Sequence, residues 1–229
     1  MVILSREFTQ PKSMAEKQIL AYIVRHGKTA MNEQDIFRGD ANPPLAKAGF
    51  QDAHFLAHYF EPIELSFVVS SDKTRARQTA EIICANRDED FSLNEGLRAW
   101  NIGDFGGKPK TKENRDALEE FVQNPDICVP GGESLNSFRA RVHPLLFQAA
   151  EAGLNAPDPG MLVVHSSVLH EVGAALSKSG DHESAHVRPG GVVAVFMCDG
   201  VLDCTPILKV DKTSKSQNVL GTRRSDTVS

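Results

Sequence analysis

The apolar run Ile19-Leu20-Ala21-Tyr22-Ile23-Val24 stops abruptly at Arg25-His26-Gly27. Such a run reads as a short buried strand. Charged side chains placed where a buried strand ends lie at the usual position for a ligand site in an open α/β sheet. A guanidinium there can hold a phosphate by two parallel hydrogen bonds. A neutral imidazole beside it can attack phosphorus. Two later apolar runs end the same way. Phe67-Val68-Val69 runs into Ser70-Ser71-Asp72, with Arg75 in the first turn of the next helix, and Met161 to Val164 runs into His165-Ser166-Ser167. In a parallel sheet these three carboxyl ends share one edge. Arg25, His26, Arg75 and His165 are therefore expected to converge on one anion site, aided by helix N-termini.

The segments between the strands carry helical periodicity. Phe50, Ala53, Ala57 and Phe60 place one face on a helix over Ala46–Phe60. Further helices are expected over Thr74–Ala85, from a Thr111 cap to about Gln123, over Glu133–Glu151 with a kink at Pro144, and over Ser167–Ser177. Phe91–Leu97 holds a weak strand, and Lys28–Pro44 is a long loop of the kind that is often functional. Val192–Met197 and Leu202–Val210 read as strands joined at Asp199-Gly200, a hairpin signal. The expected fold class is three-layer α/β, with a mainly parallel sheet, helices on both faces and an antiparallel edge strand. Residues 1–18 read as a polar arm, 19–210 as the domain and 211–229 as a disordered tail.

With 229 residues, 41% of them hydrophobic, the chain can bury one sizeable core. Its net charge of -5 argues against nucleic acid as a partner. The expected partner is a small phosphorylated molecule, and a homodimer stays open. Cys84, Cys128, Cys198 and Cys204 show neither metal-ligand spacing nor a disulfide framework. His54 and His58 are spaced for one helix face but lack a third ligand, and Asp181, His182, Glu183 and His186 read as a polar surface loop. No apolar run is long enough to span a membrane, and Met1–Lys17 lacks a signal-peptide pattern. These features make a soluble, cytoplasmic protein the expectation.

Taken in order, the motifs resemble the histidine phosphatase superfamily, in its phosphoglycerate mutase-like branch. They are Arg25-His26-Gly27-Lys28-Thr29 with Asn32, then Phe37-Arg38-Gly39 followed by Pro44-Leu45 and Gly49. Ser70-Ser71-Asp72 follows with Arg75-Ala76 and Thr79-Ala80, then Pro130-Gly131-Gly132-Glu133-Ser134 with Arg139, and Val163-Val164-His165. Together they cover roughly residues 19 to 197. The resemblance implies that His26 attacks phosphorus in line and becomes a phosphohistidine, which water then hydrolyses. It assigns Arg25, Arg75 and His165 to the phosphoryl oxygens, where they would stabilise charge as it shifts. Asn32, Arg38, Gly39 and Ser166 would line the pocket. No metal or other cofactor is implied.

One position departs from the family pattern. Members usually carry Leu-x-Glu shortly before a Gly-x-aromatic-x-Gly turn, and that Glu protonates the leaving oxygen. Here Leu97-Arg98-Ala99 precedes Gly103-Asp104-Phe105-Gly106-Gly107, so the carboxylate falls on Ala99. Glu95 and Asp104 flank the gap and are the candidate substitutes. The expected function is a phosphatase acting through phosphohistidine on a small substrate, slower on alkyl phosphomonoesters than on activated phosphates. The alternatives are a phosphoglycerate mutase and a non-catalytic phosphate-ligand-binding protein. Against the mutase, the segment from Gly107 to Pro130 is short for a substrate-covering insertion and lacks an Arg pair. Glu133 is expected to steady the following helix through Arg139.

Overall fold

The computed structural model describes residues 17–87 and 90–208. Almost all of the N-terminal arm and the whole of the C-terminal tail expected from sequence lie outside that range. The strands are β1 (Gln18–Arg25), β2 (Phe67–Ser70), β3 (Phe91–Leu93), β4 (Gly160–Val164), β5 (Val192–Cys198) and β6 (Val201–Leu208). The helices are α1 (Ala30–Glu33), α2 (Lys47–Phe60), α3 (Thr74–Cys84), α4 (Lys112–Gln123), α5 (Leu135–Asn155) and α6 (Ser166–Leu176). Thr111 and Ser134 cap α4 and α5 by accepting from Asn114 N and Ser137 N, which satisfies donors that the helix leaves orphaned. Helix α5 runs on through Pro144.

The six strands form one sheet in the order β3-β2-β4-β1-β5-β6. Parallel pairing joins β3, β2, β4 and β1. Strand β5 runs antiparallel to both β1 and β6. The reversal therefore sits one strand in from the edge, and β6 returns to the common direction. Asp199 and Gly200 make the turn with φ of 52° and 76°, the paired positive values of a tight hairpin.

The central strands feed two cores by simple alternation. Leu162 and Val164 of β4 and Val193 and Val195 of β5 face a core with Phe138, Val142, Leu146, Leu169 and Val172 of α5 and α6. Met161, Val163, Val192 and Ala194 face the opposite core with Leu56, Phe60, Ala76 and Ala80 of α2 and α3. Strands buried on both faces need apolar residues at every position. This is why the runs in the sequence are continuous rather than alternating.

Register sets the site. Arg25 pairs with Val164, and Ser70 pairs with Val163. His26, Ser71 and His165 are the residues one step beyond each strand end. The backbone continues to hold two of them, since His26 N donates to Val164 O at 3.1 Å and Ser71 N donates to Val163 O at 3.0 Å.

Helix α5 approaches β1 so closely at Gly153 that a Cβ there would overlap the Leu20 carbonyl. Gly153→Ala is expected to lower stability by about 1–3 kcal/mol through overpacking. Chemical denaturation checks this; an unchanged midpoint would mean that the helix can shift without cost.

Candidate active site

The loop after β1 is built by close backbone approach. A Cβ on Gly27 would meet Gly49 O at 2.5 Å, so no side chain fits between this loop and the start of α2. Gly27 N donates to Thr79 Oγ1 at 3.1 Å, and Thr79 Oγ1 donates to Arg75 O at 2.7 Å. The buried threonine thus ties the β1 loop to the helix that carries Arg75. Ala46 N donates to Lys28 O at 2.9 Å and closes the other side.

His26 is fully buried. Its Nδ1 lies 2.7 Å from Gly27 O, which only accepts, so this nitrogen carries the proton. Its Nε2 faces two donors, Arg38 Nη1 at 2.9 Å and Arg75 Nε at 3.2 Å. Guanidinium nitrogens only donate, so Nε2 presents its lone pair. The imidazole is therefore neutral, with its nucleophilic nitrogen turned toward the arginines. His165 lies alongside, ring centroids 5.2 Å apart, with its Nε2 2.8 Å from Ser71 Oγ.

Three buried nitrogens at this point have no partner: Arg25 Nε, Arg38 Nε and His165 Nδ1. Arg25 Nη1 is anchored on Val187 O at 2.7 Å, and Arg75 Nη1 on Ala41 O at 3.1 Å. Among the described residues, none of Arg25, Arg38 and Arg75 forms an ion pair. Buried donors without partners are uncommon and call for a ligand. The electrostatics agree. Burial and the Arg38 charge lower Arg25 to about 10, burial lowers Arg38 to about 10, and burial, then Arg38, lowers Arg75 to about 9. Burial first, and then the surrounding arginines, hold His26 and His165 well below the ordinary histidine value. Converging donors and uncompensated positive charge favour an anion, and a phosphoryl dianion fits both.

Arg25, Arg38, Gly39, Arg75, His165 and Ser166 line a cavity of about 550 Å³. His26 lies directly behind the lining residues Arg38 and Arg75, and the other sequence candidates stand elsewhere. Asn32 Oδ1 accepts from Thr29 N and Thr29 Oγ1, both at 3.0 Å, and shapes the loop rather than lining the cavity. Glu95 sits in a 3₁₀ turn (Glu95–Leu97) that carries its side chain outward, where it is 75% exposed and 3.3 Å from Arg98 Nη1. Asp104 is exposed, with its carboxylate over the Gly131 turn. Neither lines the cavity, so both candidate acids are displaced from the site. Ala99 does line it. The segment ending there is pinned by Arg141, which donates to the carbonyls of Gly96, Arg98 and Ala99 at 2.7–2.9 Å. Glu133 also departs from expectation. It pairs with Arg141 at 2.7 Å and accepts from Asn101 N at 2.8 Å, whereas Arg139 reaches Glu171 at 3.1 Å.

Sequence reasoning did not find the outer wall of the cavity. Trp100, Leu118 and Val122, Leu135 and Phe138 form it, from the stretch after Ala99, from α4 and from the start of α5. The available signal was Leu118 and Val122 on α4, a largely charged helix that has no fully buried residue.

Residues 21–195 match the family model of the Histidine phosphatase superfamily (branch 1). Fructose-2,6-bisphosphatase TIGAR of Xenopus tropicalis is 35% identical over 124 residues, 52% of this chain and 45% of that protein. The chain thus aligns with less than half the length of this relative. Probable phosphoglycerate mutase GpmB of Yersinia pestis is 30% identical over 152 residues, 65% of this chain and 70% of that protein. The crystal structure of TTHB049 from Thermus thermophilus superposes with a TM-score of 0.64 at 27% identity, covering 83% of this chain and 99% of that one.

The neutral buried histidines link stability to pH. Both bind protons in the unfolded chain below about pH 6.5 but resist them when folded, so their contribution is full above that value and is lost as pH falls. Without anions, the melting temperature should drop between about pH 7.5 and about pH 5.5, and millimolar sulfate should offset the loss. Replacing both histidines with Asn should flatten the profile. A wild-type slope unaffected by sulfate would contradict the anion site.

Proposed function

We propose that this chain, which belongs to the histidine phosphatase superfamily (branch 1), is a phosphatase acting through phosphohistidine on a small phosphorylated substrate. The observation that carries this reading is the unprotonated Nε2 of His26 set beside two unpartnered buried guanidinium N–H groups and the unpartnered Nδ1 of His165. A phosphoryl group that takes up the donors of Arg25, Arg38, Arg75 and His165 competes with Nε2 for Arg38 and Arg75, and so frees the lone pair. Nε2 attacks phosphorus, the bond to the leaving oxygen breaks, and the arginines hold the three equatorial oxygens. Water then attacks the phosphohistidine, breaks the P–N bond and releases phosphate. The fixed donors stabilise the charge in both transition states without reorganisation.

His26→Ala is expected to abolish turnover. Arg75→Ala should cost about a hundredfold to a thousandfold in kcat, the usual loss of one preorganised donor. Arg75→Lys should recover only part, because an ammonium cannot offer a planar pair of donors. Steady-state kinetics of the three variants against wild type checks this. Full activity in His26→Ala would overturn the mechanism, and saturable phosphate binding without turnover in wild type would favour a binding protein. Isomerisation of a phosphorylated acid faster than its hydrolysis would favour a mutase.

A further inference from the structure

Two features of the cavity bear on what it accepts, given the phosphatase reading above. The first is that the segment carrying Ala99 brings no carboxyl group to the cavity. Ala99 presents a methyl group where its segment meets the cavity, and Arg141 fixes that segment by three carbonyls. Two carboxylates line the cavity, Glu119 and Glu171. Glu171 Oε2 accepts from Arg139 Nε at 3.1 Å and from His143 Nε2 at 2.7 Å, and its side chain is 4% exposed. Its side chain is thus committed to Arg139 and His143. Glu119 stands on the exposed side of α4. His170 also lines the cavity and meets the His186 ring edge-on, with centroids 5.8 Å apart.

The second feature is the chemistry of the wall. Beyond the arginines, Phe37, Trp100, Leu118, Val122, Leu135 and Phe138 give it an apolar side, while Lys110, Glu119, Ser166, Ser167 and His170 line the rest. The indole N–H of Trp100 is already used, donating to Glu133 O at 3.2 Å, so the ring is what faces the cavity. Lys110 is drawn toward Asp35 at 3.7 Å and lies 6.0 Å from the Phe37 ring centre. The hydroxyls of a sugar phosphate laid against the apolar side would lose water there, which is costly. An aromatic body would bury its faces there at a gain. The volume of about 550 Å³ is in the range for a ligand well beyond a bare phosphate.

We infer that the site takes phosphate esters that join an apolar aromatic body to a leaving oxygen able to depart as an anion, that is, aryl phosphates. In the first step the P–O bond to the aryl oxygen breaks and the P–Nε2 bond forms. The electron pair leaves on an aryl oxide, which takes its proton later from solvent. An alkoxide cannot leave so readily without an acid. Leaving-group chemistry thus governs kcat, and the apolar wall governs KM.

Four probes separate the two effects: naphthyl phosphate, naphthylethyl phosphate, acetyl phosphate and glycerol phosphate. Naphthyl phosphate should have the highest kcat/KM. Naphthylethyl phosphate should bind similarly but turn over about a hundredfold or more slowly, the worth of a missing general acid. Acetyl phosphate should keep a high kcat with a KM about tenfold or more above that of naphthyl phosphate, reflecting the lost apolar burial. Ala99→Glu should narrow the gap between the two naphthyl compounds. Val122→Asp should raise KM for naphthyl phosphate far more than for acetyl phosphate. Equal kcat for the two naphthyl compounds in wild type would overturn the inference, and steepening by Glu119→Gln or His170→Gln would then identify the acid. Glycerol phosphate turned over as well as naphthyl phosphate would overturn it too. If none of the four is hydrolysed above the His26→Ala background, the phosphatase reading itself fails.

Discussion

Everything at the carboxyl edge of this sheet depends on holding three guanidinium groups around one neutral imidazole with no carboxylate to balance them. Like charges gathered in a buried place are unfavourable, and the chain sustains them by backbone carbonyls rather than by ion pairs. Val187 O holds Arg25, Ala41 O holds Arg75, and Gly27 O fixes the tautomer of His26. Carbonyl oxygens orient these groups without neutralising them. The positive potential is left for a ligand, and a dianion both satisfies the orphaned donors and removes the repulsion. The carboxylates of the neighbourhood are turned elsewhere. Asp72 is gripped by Arg98, which holds its carboxyl below the ordinary aspartate value. Asp40 pairs with Lys73.

The two ends of the cavity are controlled by different parts of the fold. The anion end hangs from β1, β2 and β4, whose parallel register fixes His26, Ser71 and His165 within one step of each other. It can tolerate little change, because one residue of slippage would turn each side chain to the opposite face. The outer wall comes from α4, which packs on the core through half-buried Ala117, Leu118 and Phe121, and from the first turns of α5. No residue of helix α4 is fully buried, so its residues can change with small cost to stability. On the proposed function, chemistry would be anchored in the sheet and recognition left to a peripheral helix.

Much of this was legible in the sequence, for identifiable reasons. Val163 and Val164 could not be mistaken for surface residues, and the polar residue after each apolar run marked where a strand leaves the core. The hairpin was announced by Asp199-Gly200. What could not be read were relations set by side-chain direction. Glu95 is four residues from the vacant acid position, yet a 3₁₀ turn points it to solvent. Arg139 and Arg141 are two residues apart on α5, so they project to nearly opposite sides. Arg141 meets Glu133 and the chain before the site, and Arg139 meets the buried Glu171. Asn32 belongs to the motif but spends its oxygen on Thr29. The apolar wall escaped notice because Leu118 and Val122 are spaced as in any amphipathic helix.

The central claim is that Nε2 of His26 takes the phosphoryl group while Nδ1 keeps its proton on Gly27 O. Phosphorus NMR of the trapped, denatured phosphoprotein distinguishes the two nitrogens, and peptide mapping identifies the residue. The account predicts phosphate on Nε2 of His26. Phosphate on Nδ1 or on another residue, or turnover with no phosphorylated enzyme, would contradict it.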